Sequence, residues 1–305
     1  MPENETEQHP VHVQSTTLKR ASMLVAALVL IGILTSFLLP ALTKAREAYR
    51  LESCADNLGQ LGLACRMYAN DHRYAYPHLS RVPGRFFPAW EEVYPEYVND
   101  RYFGNPCIVT CPSDVTVPSE VGAPTSWDEE GLIWDDHSYI YFGHFIADEE
   151  EGFAFLEAYE KRVVEAIDSE KLVFDERSGE WLLPELFWEQ VIYVGENRGI
   201  DNESYLPRLH VYFEINPPDT NSPITPPVPE PYLSAVVMFD RPGNTAADFN
   251  HAHGKGNVIF MYGNDEFDTY PSEKFNFSPR FFQEFLETEA RIEKLYADFV
   301  DAQGK

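Results

Sequence analysis

The longest uninterrupted apolar stretch of the chain lies near its N-terminus, at residues 21–42, which contain no charged side chain. As an α-helix this stretch spans about 33 Å, close to the thickness of the hydrocarbon core of a bilayer. A buried helix of a soluble protein rarely has so long a run, and a signal peptide has a shorter apolar region followed by small residues. In this chain the apolar stretch is followed by basic residues instead, namely Lys44, Arg46 and Arg50. The pattern predicts an uncleaved transmembrane helix, preceded by a disordered polar tail at 1–20.

Beyond the apolar stretch, apolar residues recur at three- and four-residue intervals with charged residues between them. This pattern predicts that an amphipathic helix at 43–72 continues the transmembrane helix and packs on the domain that follows. Pro40 is expected to kink the helix rather than end it. The recurring apolar positions include Ala45, Ala48, Leu51, Ala55, Leu58, Leu61, Cys65 and Tyr68.

The remaining residues, 73–305, mix helical and strand-like patterns and predict one α+β domain. Two amphipathic segments, 146–171 and 279–300, are expected to be helices. A hairpin of strands 257–262 and 265–270 is expected around the turn dipeptide Gly263-Asn264. Further strands are expected at 107–112, 172–174, 191–194, 209–215 and 232–240, and loops at 74–90 and 216–231.

The charge balance is strongly acidic, with 50 Asp and Glu against 23 Lys and Arg and a formal net charge of -27. This surplus repels polyanions, so nucleic acid is not an expected partner. It suits a soluble exported domain or a domain that binds hard cations. Basic residues flank the apolar stretch on both sides and leave its orientation open. The short tail and the large acidic domain favour a cytoplasmic N-terminus.

A candidate divalent-metal site is formed by Asp248, His251 and His253, because two histidines at alternate positions of an extended segment point to the same side. Asp240 is near enough in sequence to share the ion. The alternative is that these residues form a turn leading into a strand. The sequence contains no nucleophile elbow, phosphate loop, dinucleotide fingerprint or zinc-protease motif. We therefore predict neither enzymatic activity nor an organic cofactor.

Several short motifs occur in a specific order along the chain, and together they resemble those of pilin-like proteins related to the major pseudopilin of type II secretion systems. The resemblance covers about 21–145 and 235–270. The motifs are Leu38-Leu39-Pro40-Ala41-Leu42, Ala45-Arg46-Glu47, Cys54, Asn57-Leu58, Gln60-Leu61-Gly62, Tyr68-Ala69-Asn70-Asp71, Cys111-Pro112-Ser113-Asp114, Ser138-Tyr139-Ile140-Tyr141 and the segment from His253 to Phe260.

The resemblance implies a pseudopilin-like α+β fold, in which the long N-terminal helix packs on an antiparallel β-sheet. This chain adds a C-terminal helix and an insert at about 146–235 that has no counterpart in the family pattern. The implied location is the bacterial inner membrane, crossed once, with the domain in the periplasm or otherwise outside the cytoplasm. The implied partners are membrane lipid and the subunits of a type II secretion or pilus-like assembly, in which the chain would have a structural or interaction role in protein secretion.

One departure from the family pattern concerns processing. Such proteins carry Gly-Phe-Thr-Leu-x-Glu before the apolar stretch, whereas Leu18 occupies the place of the Gly and Met23 that of the Glu. The prepilin cleavage and methylation motif is therefore degenerate, and the N-terminus is expected to be retained. The departure also raises an alternative function: a membrane-tethered binding module that does not polymerise and recognises its ligand through the insert.

Two further expectations concern ligands and cysteines. Some pseudopilins bind calcium through a C-terminal loop, which here corresponds to Asp265, Glu266 and Asp268, although acidic residues are frequent throughout this chain. Cys54 and Cys111 are candidates for a disulfide, and two buried thiols are the equally open alternative.

Overall fold

The structure is a computed structural model, and its two compact units, residues 1–49 and 50–305, are described separately. The residues described are 12–73, 75–93, 96–98, 106–113, 138–144, 146, 148–185, 187, 192–193, 205–206, 236–242, 251, 256–260, 267–270 and 277–304.

Helix α1, His12–Asp71, begins in the first unit and contains Pro40 without interruption. Large apolar side chains in the part of α1 that belongs to the first unit are exposed, including Leu28 at 68% and Phe37 at 76%. Its apolar part is long and apolar enough to cross a membrane. Among the described residues it is the one helix of this kind, which is consistent with the predicted single-pass anchor.

The start of α1 differs from the prediction of a disordered tail at 1–20. The helix already begins at His12, so that residues 12–20 are helical, and residues 1–11 lie outside the described part. Adding residues to an existing helix is far easier than nucleating a new one. No glycine or proline stands between Pro10 and Gly32 to stop the helix from extending toward the N-terminus.

The second unit is built on a four-stranded antiparallel sheet, which confirms the predicted α+β class. Its strands are β1 (Tyr139–Tyr141), β6 (Val236–Asp240), β7 (Gly256–Phe260) and β8 (Phe267–Tyr270), in the spatial order β1-β6-β7-β8. In β1, Tyr139 pairs with Asp240, and in β7, Val258 pairs with Asp268. Strands β7 and β8 form the predicted antiparallel hairpin, although Gly263-Asn264 lies outside the described residues.

One face of the sheet is covered by the last part of α1, as the amphipathic pattern predicted. Tyr139 donates its hydroxyl to the Cys54 carbonyl at 3.4 Å, and Asn257 donates to the Leu51 carbonyl at 3.1 Å. A Cβ atom at Gly62 would lie 2.4 Å from Cδ1 of Ile259. The missing side chain at Gly62 therefore allows the helix to approach the sheet closely.

The opposite face packs against helices α3 (Glu149–Asp168) and α4 (Pro279–Gln303). Phe239 contacts Phe282 of α4, and Phe142 contacts both Phe155 of α3 and Phe281 of α4. These rings supply large apolar areas to a single core. Both predicted helices are confirmed, and the unit has three layers: α1, the sheet, and α3 with α4.

Local sequence explains where these two helices begin. Asp148 caps α3 by accepting a hydrogen bond from the Glu151 N–H, and Ser278 caps α4 in the same way through Phe281, with Pro279 at the first helical position. Glu149 also accepts hydrogen bonds from the backbone and hydroxyl of Ser278, at 2.9 and 2.6 Å. The starts of the two helices are therefore joined directly.

The insert is integrated into this core. Besides α3 it contains the hairpin β2 (Val173–Asp175) and β3 (Glu180–Leu182), and the short pair β4 (Ile192–Tyr193) and β5 (Tyr205–Leu206). Arg85, in the loop after α1, forms an ion pair with Glu180 at 2.7 Å. The backbone N–H of Trp181 donates to the Tyr296 hydroxyl of α4 at 2.9 Å. The insert thus contacts both the loop after α1 and the C-terminal helix.

Three local predictions have different outcomes. The strand predicted at 107–112 is wrong, because Pro106–Val109 form a 3-10 helix, which nevertheless buries Ile108 and Val109 almost completely. Tertiary packing has overridden the β-propensity of these residues. The short helix α2, Trp90–Val93, begins at the last residue of the loop predicted at 74–90. The strand predicted at 209–215 lies outside the described residues.

Substituting Tyr159→Phe should lower the free energy of unfolding by about 1–3 kcal/mol. The fully buried Tyr159 hydroxyl accepts the Gly84 N–H at 3.0 Å, and the variant would leave that N–H without this acceptor. Urea unfolding followed by circular dichroism measures the change. Tyr49→Phe, at a residue that is 72% exposed, is the control and should change stability little. Equal stability of the two variants would contradict the importance of this hydrogen bond.

Candidate functional site

A disulfide joins Cys54 of α1 to Cys111, the residue pair named from the sequence. The two residues are separated by 57 positions, so the bond connects α1 to the segment that precedes β1. Cys65, which lies closer to the C-terminal end of α1, is a buried free thiol. Burial raises its pKa to about 12. The disulfide therefore lies between α1 and the sheet, while Cys65 stays protonated at neutral pH.

Two titratable side chains lie next to this disulfide. Nε2 of His251 is 3.4 Å from Sγ of Cys111 and 3.4 Å from Oδ2 of Asp240. Asp240 is the last residue of β6, and His251 follows it in the connection to β7. Neither side chain is more than 1% exposed. An imidazole and a carboxyl group thus lie together near one sulfur atom at the end of β6.

Asn257 of β7 holds the Asp240 carboxyl group in place. Its backbone N–H and its side-chain amide both donate to Oδ2 of Asp240, at 2.6 and 3.0 Å. The other oxygen, Oδ1, is buried and has no hydrogen-bond partner among the described residues. Burial raises the pKa of Asp240, although the contacts with His251 and Asn257 act in the opposite direction.

The chemistry of this group is restricted by its burial. Cys54 and Asp240 are 0% exposed, and His251 and Cys111 only 3% and 4%. A substrate cannot reach these atoms in this conformation. The four side chains nevertheless offer two sulfurs, one imidazole nitrogen and one carboxylate oxygen within 4.8 Å of one another, a set suited to a small cation.

The structure describes only some of the residues that were predicted to bind a metal ion. His251 lies beside Asp240, the residue that was expected to share a metal ion with it. Asp248 and His253 lie outside the described residues. For the predicted calcium loop, Asp265 also lies outside them, and Asp268 is described only as a backbone position in β8 opposite Val258. The histidine–aspartate–histidine and calcium sites therefore remain predictions.

Sequence reasoning missed the role of Asn257 and the closeness of His251 to the disulfide. Asn257 belongs to the motif that begins at His253, but nothing in that motif indicates that its side chain contacts Asp240. One signal was available: Asp240 ends a strand whose other residues are apolar. A carboxylate at a buried strand end requires polar partners.

The raised pKa of Asp240 predicts a pH effect that Asp240→Asn should remove. Above the pKa of an aspartate in the unfolded chain, near 4, the folded state binds more protons, so wild-type stability falls as the pH rises toward the higher folded-state pKa. The slope is about 1.4 kcal/mol per pH unit at most. Unfolding of both proteins should be measured across this range under oxidising conditions. As the pH rises, the stability of Asp240→Asn should increase relative to that of the wild type.

Asp301→Asn, at an exposed position of α4, is the matched control for this pH series. Its stability difference from the wild type should change little over the same range. A pH-independent difference for Asp240→Asn would show that the buried carboxyl group has an ordinary pKa.

Comparisons with protein-family models, with curated proteins and with solved structures found no match.

Proposed function

We propose that this chain is a single-pass, pilin-like membrane protein that acts as a structural or interaction subunit of a type II secretion or pilus-like assembly, with residues 50–305 outside the cytoplasm. The observation that carries the proposal is the exposed apolar surface of α1. The consecutive residues Met23, Leu24 and Val25 are each at least 60% exposed. Consecutive positions point in different directions around a helix, so this segment is apolar on all sides and requires an apolar environment.

The polar atoms within this segment support membrane insertion. The Thr35 hydroxyl donates to the Ile31 carbonyl at 2.9 Å, and the Ser36 hydroxyl donates to the Ile33 carbonyl at 2.7 Å. These hydroxyl groups are therefore satisfied within the helix. A helix that satisfies its own polar groups can enter a bilayer without leaving hydrogen bonds unmade.

The last part of α1 supports a structural role. Within the second unit, Leu58 and Ala69 are 0% exposed, and Cys54 is bonded to Cys111. The helix that carries the apolar segment thus also contributes one layer of the domain core. In a pilin-like assembly, apolar helices pack side by side in the membrane and position the domains outside it, and the sequence motifs point to this arrangement.

The second candidate function is a membrane-tethered binding module that does not polymerise. It is favoured by Met23, which replaces the carboxylate expected at this position of a pilin-like helix and is 64% exposed. Buried carboxylates in membrane helices are costly unless they are paired, so their loss removes a specific helix contact. In this case the insert would bind the partner, and Val173 of β2, which is 54% exposed, marks an apolar point on it.

Site-specific photocross-linking separates the two functions. A photoreactive amino acid at Leu34, 59% exposed in the apolar segment, should form adducts with a second copy or with other single-span proteins if the chain assembles. The same probe at Val173 should form adducts with a soluble or membrane partner if the chain is a binding module. A probe at exposed Ala302 in α4 serves as the control. Lipid adducts alone at Leu34, from a chain that is monomeric in detergent, would overturn the assembly function.

A further inference from the structure

Four segments that are distant in sequence supply the potential ligands around the disulfide. Cys54 comes from α1, Cys111 from the segment after the 3-10 helix, Asp240 from the end of β6, and His251 from the β6–β7 connection. Their sulfur, oxygen and nitrogen atoms all lie within 4.8 Å of one another. All four residues are buried. Burial distinguishes this cluster from groups of exposed acidic residues, which are common without a bound ion.

Two distances within the cluster match those of a tetrahedral metal site. With zinc–sulfur bonds of about 2.3 Å and zinc–nitrogen or zinc–oxygen bonds of about 2.0 Å, neighbouring ligand atoms in a tetrahedron lie about 3.3–3.8 Å apart. Nε2 of His251 lies 3.4 Å from both Sγ of Cys111 and Oδ2 of Asp240. The nitrogen–sulfur pair therefore already has tetrahedral spacing, and the Asp240 carboxyl group lies equally close to the imidazole.

Asp240 supplies an independent indication of a ligand. Its Oδ1 atom is buried without a hydrogen-bond partner among the described residues, an expensive state for a carboxylate oxygen. Asn257 fixes the same carboxyl group through two hydrogen bonds to Oδ2. Carboxylates that bind metals are commonly held by such outer hydrogen bonds.

We propose that Cys54, Cys111, His251 and Asp240 bind one zinc ion when the Cys54–Cys111 disulfide is reduced. Zinc favours two thiolates, an imidazole and a carboxylate in tetrahedral arrangement. The bonded sulfurs of the disulfide are not thiolates, so the oxidised chain lacks half of the ligand set. Oxidation and zinc binding are thus mutually exclusive, and each state links α1 to the segment around Cys111.

The exchange between the two states balances with a dithiol as the reductant. The dithiol loses two electrons and two protons and becomes a disulfide, while Cys54 and Cys111 each gain one electron and one proton. Zinc binding then releases the two thiol protons to solvent. The reverse exchange needs a disulfide oxidant and releases the ion. Both steps require local opening, because the sulfur atoms are buried.

The test uses the full chain in detergent, reduced by a dithiol and freed of metal by a chelator that is then removed. Zinc bound after dialysis is measured by elemental analysis, and cobalt is added in parallel to detect thiolate-to-cobalt charge transfer. Reduced wild-type protein should bind one equivalent of zinc and show the cobalt band, and oxidised protein should do neither. His251→Ala and Asp240→Asn should weaken zinc binding about 10–100-fold or more.

Two cysteine variants are the matched controls. Cys65→Ala removes a buried thiol outside the cluster, and Cys107→Ser removes the cysteine four positions before Cys111, so both should retain one equivalent. Circular dichroism of each variant, first oxidised and then reduced, separates ligand loss from misfolding. Zinc binding well below one equivalent by reduced wild-type protein, equal binding by oxidised protein, or loss of zinc in Cys107→Ser would each overturn the proposal.

Discussion

Arginine at both Leu28 and Ile31 is expected to prevent stable insertion of α1 into the membrane. Both side chains lie near the middle of the apolar stretch and are more than half exposed, one turn apart on the same face of the helix. An arginine at the centre of a membrane helix costs about 2.5–3.5 kcal/mol on insertion scales, and the leucine or isoleucine it replaces is favourable. The two substitutions together disfavour insertion by about 6 kcal/mol. Alkaline extraction of membranes, followed by quantification of sedimented and soluble protein, measures this effect.

The control adds the same two charges to the second unit. Leu63→Arg with Leu295→Arg changes two apolar residues that are 43% and 38% exposed. This variant should sediment with membranes as the wild type does. If the Leu28 and Ile31 variant also sediments completely, the apolar stretch is not the anchor.

Loss of the Cys54–Cys111 disulfide should strongly lower the free energy of unfolding. The bond closes a loop of 57 residues, and the chain-entropy relation for such a loop corresponds to about 4 kcal/mol of unfolding free energy. Cys54→Ala with Cys111→Ala should lower stability by this order, as measured by urea unfolding in detergent with a chelator present. The chelator excludes any stabilisation by a bound metal ion.

Cys65→Ala distinguishes loss of the bond from loss of a buried sulfur. Cys65 is as buried as Cys54 but is not part of the disulfide, so its substitution should lower stability only by the smaller cost of a truncated core side chain. A reducing agent should shrink the difference between the wild type and the double variant to the cost of truncating the two buried side chains. Equal stability of the oxidised wild type and the double variant would show that the bond does not stabilise the domain.

The elements that could be predicted from sequence are those whose signals are local. The apolar stretch of α1, the helical periods of α3 and α4, and the strand patterns of β7 and β8 each depend on neighbouring residues. The structure confirms these helices and the hairpin. Gly62 shows the limit of such reasoning: its motif is visible in the sequence, but its close approach to Ile259 depends on how α1 crosses the sheet.

The candidate site could be predicted only in part, because its geometry depends on tertiary packing. His251 and Asp240 were named, and so were both cysteines, but nothing in the sequence places Cys111 beside His251 at a separation of 140 residues. That contact depends on the disulfide that holds Cys111 to α1 and on the position of His251 beside Asp240. The same packing explains why the strand predicted at 107–112 did not form.

In the proposed topology α1 crosses the membrane once, with residues 50–305 outside the cytoplasm. Two single cysteines test it in a Cys107→Ser background, with the buried Cys65 left in place: Ala302→Cys at an exposed position of α4, and Gln14→Cys before the apolar stretch. A membrane-impermeant maleimide is applied to intact spheroplasts and, separately, to lysed ones. The proposed topology predicts that Ala302→Cys is labelled in intact spheroplasts and that Gln14→Cys is labelled only after lysis. Labelling of Gln14→Cys but not Ala302→Cys in intact spheroplasts would contradict it.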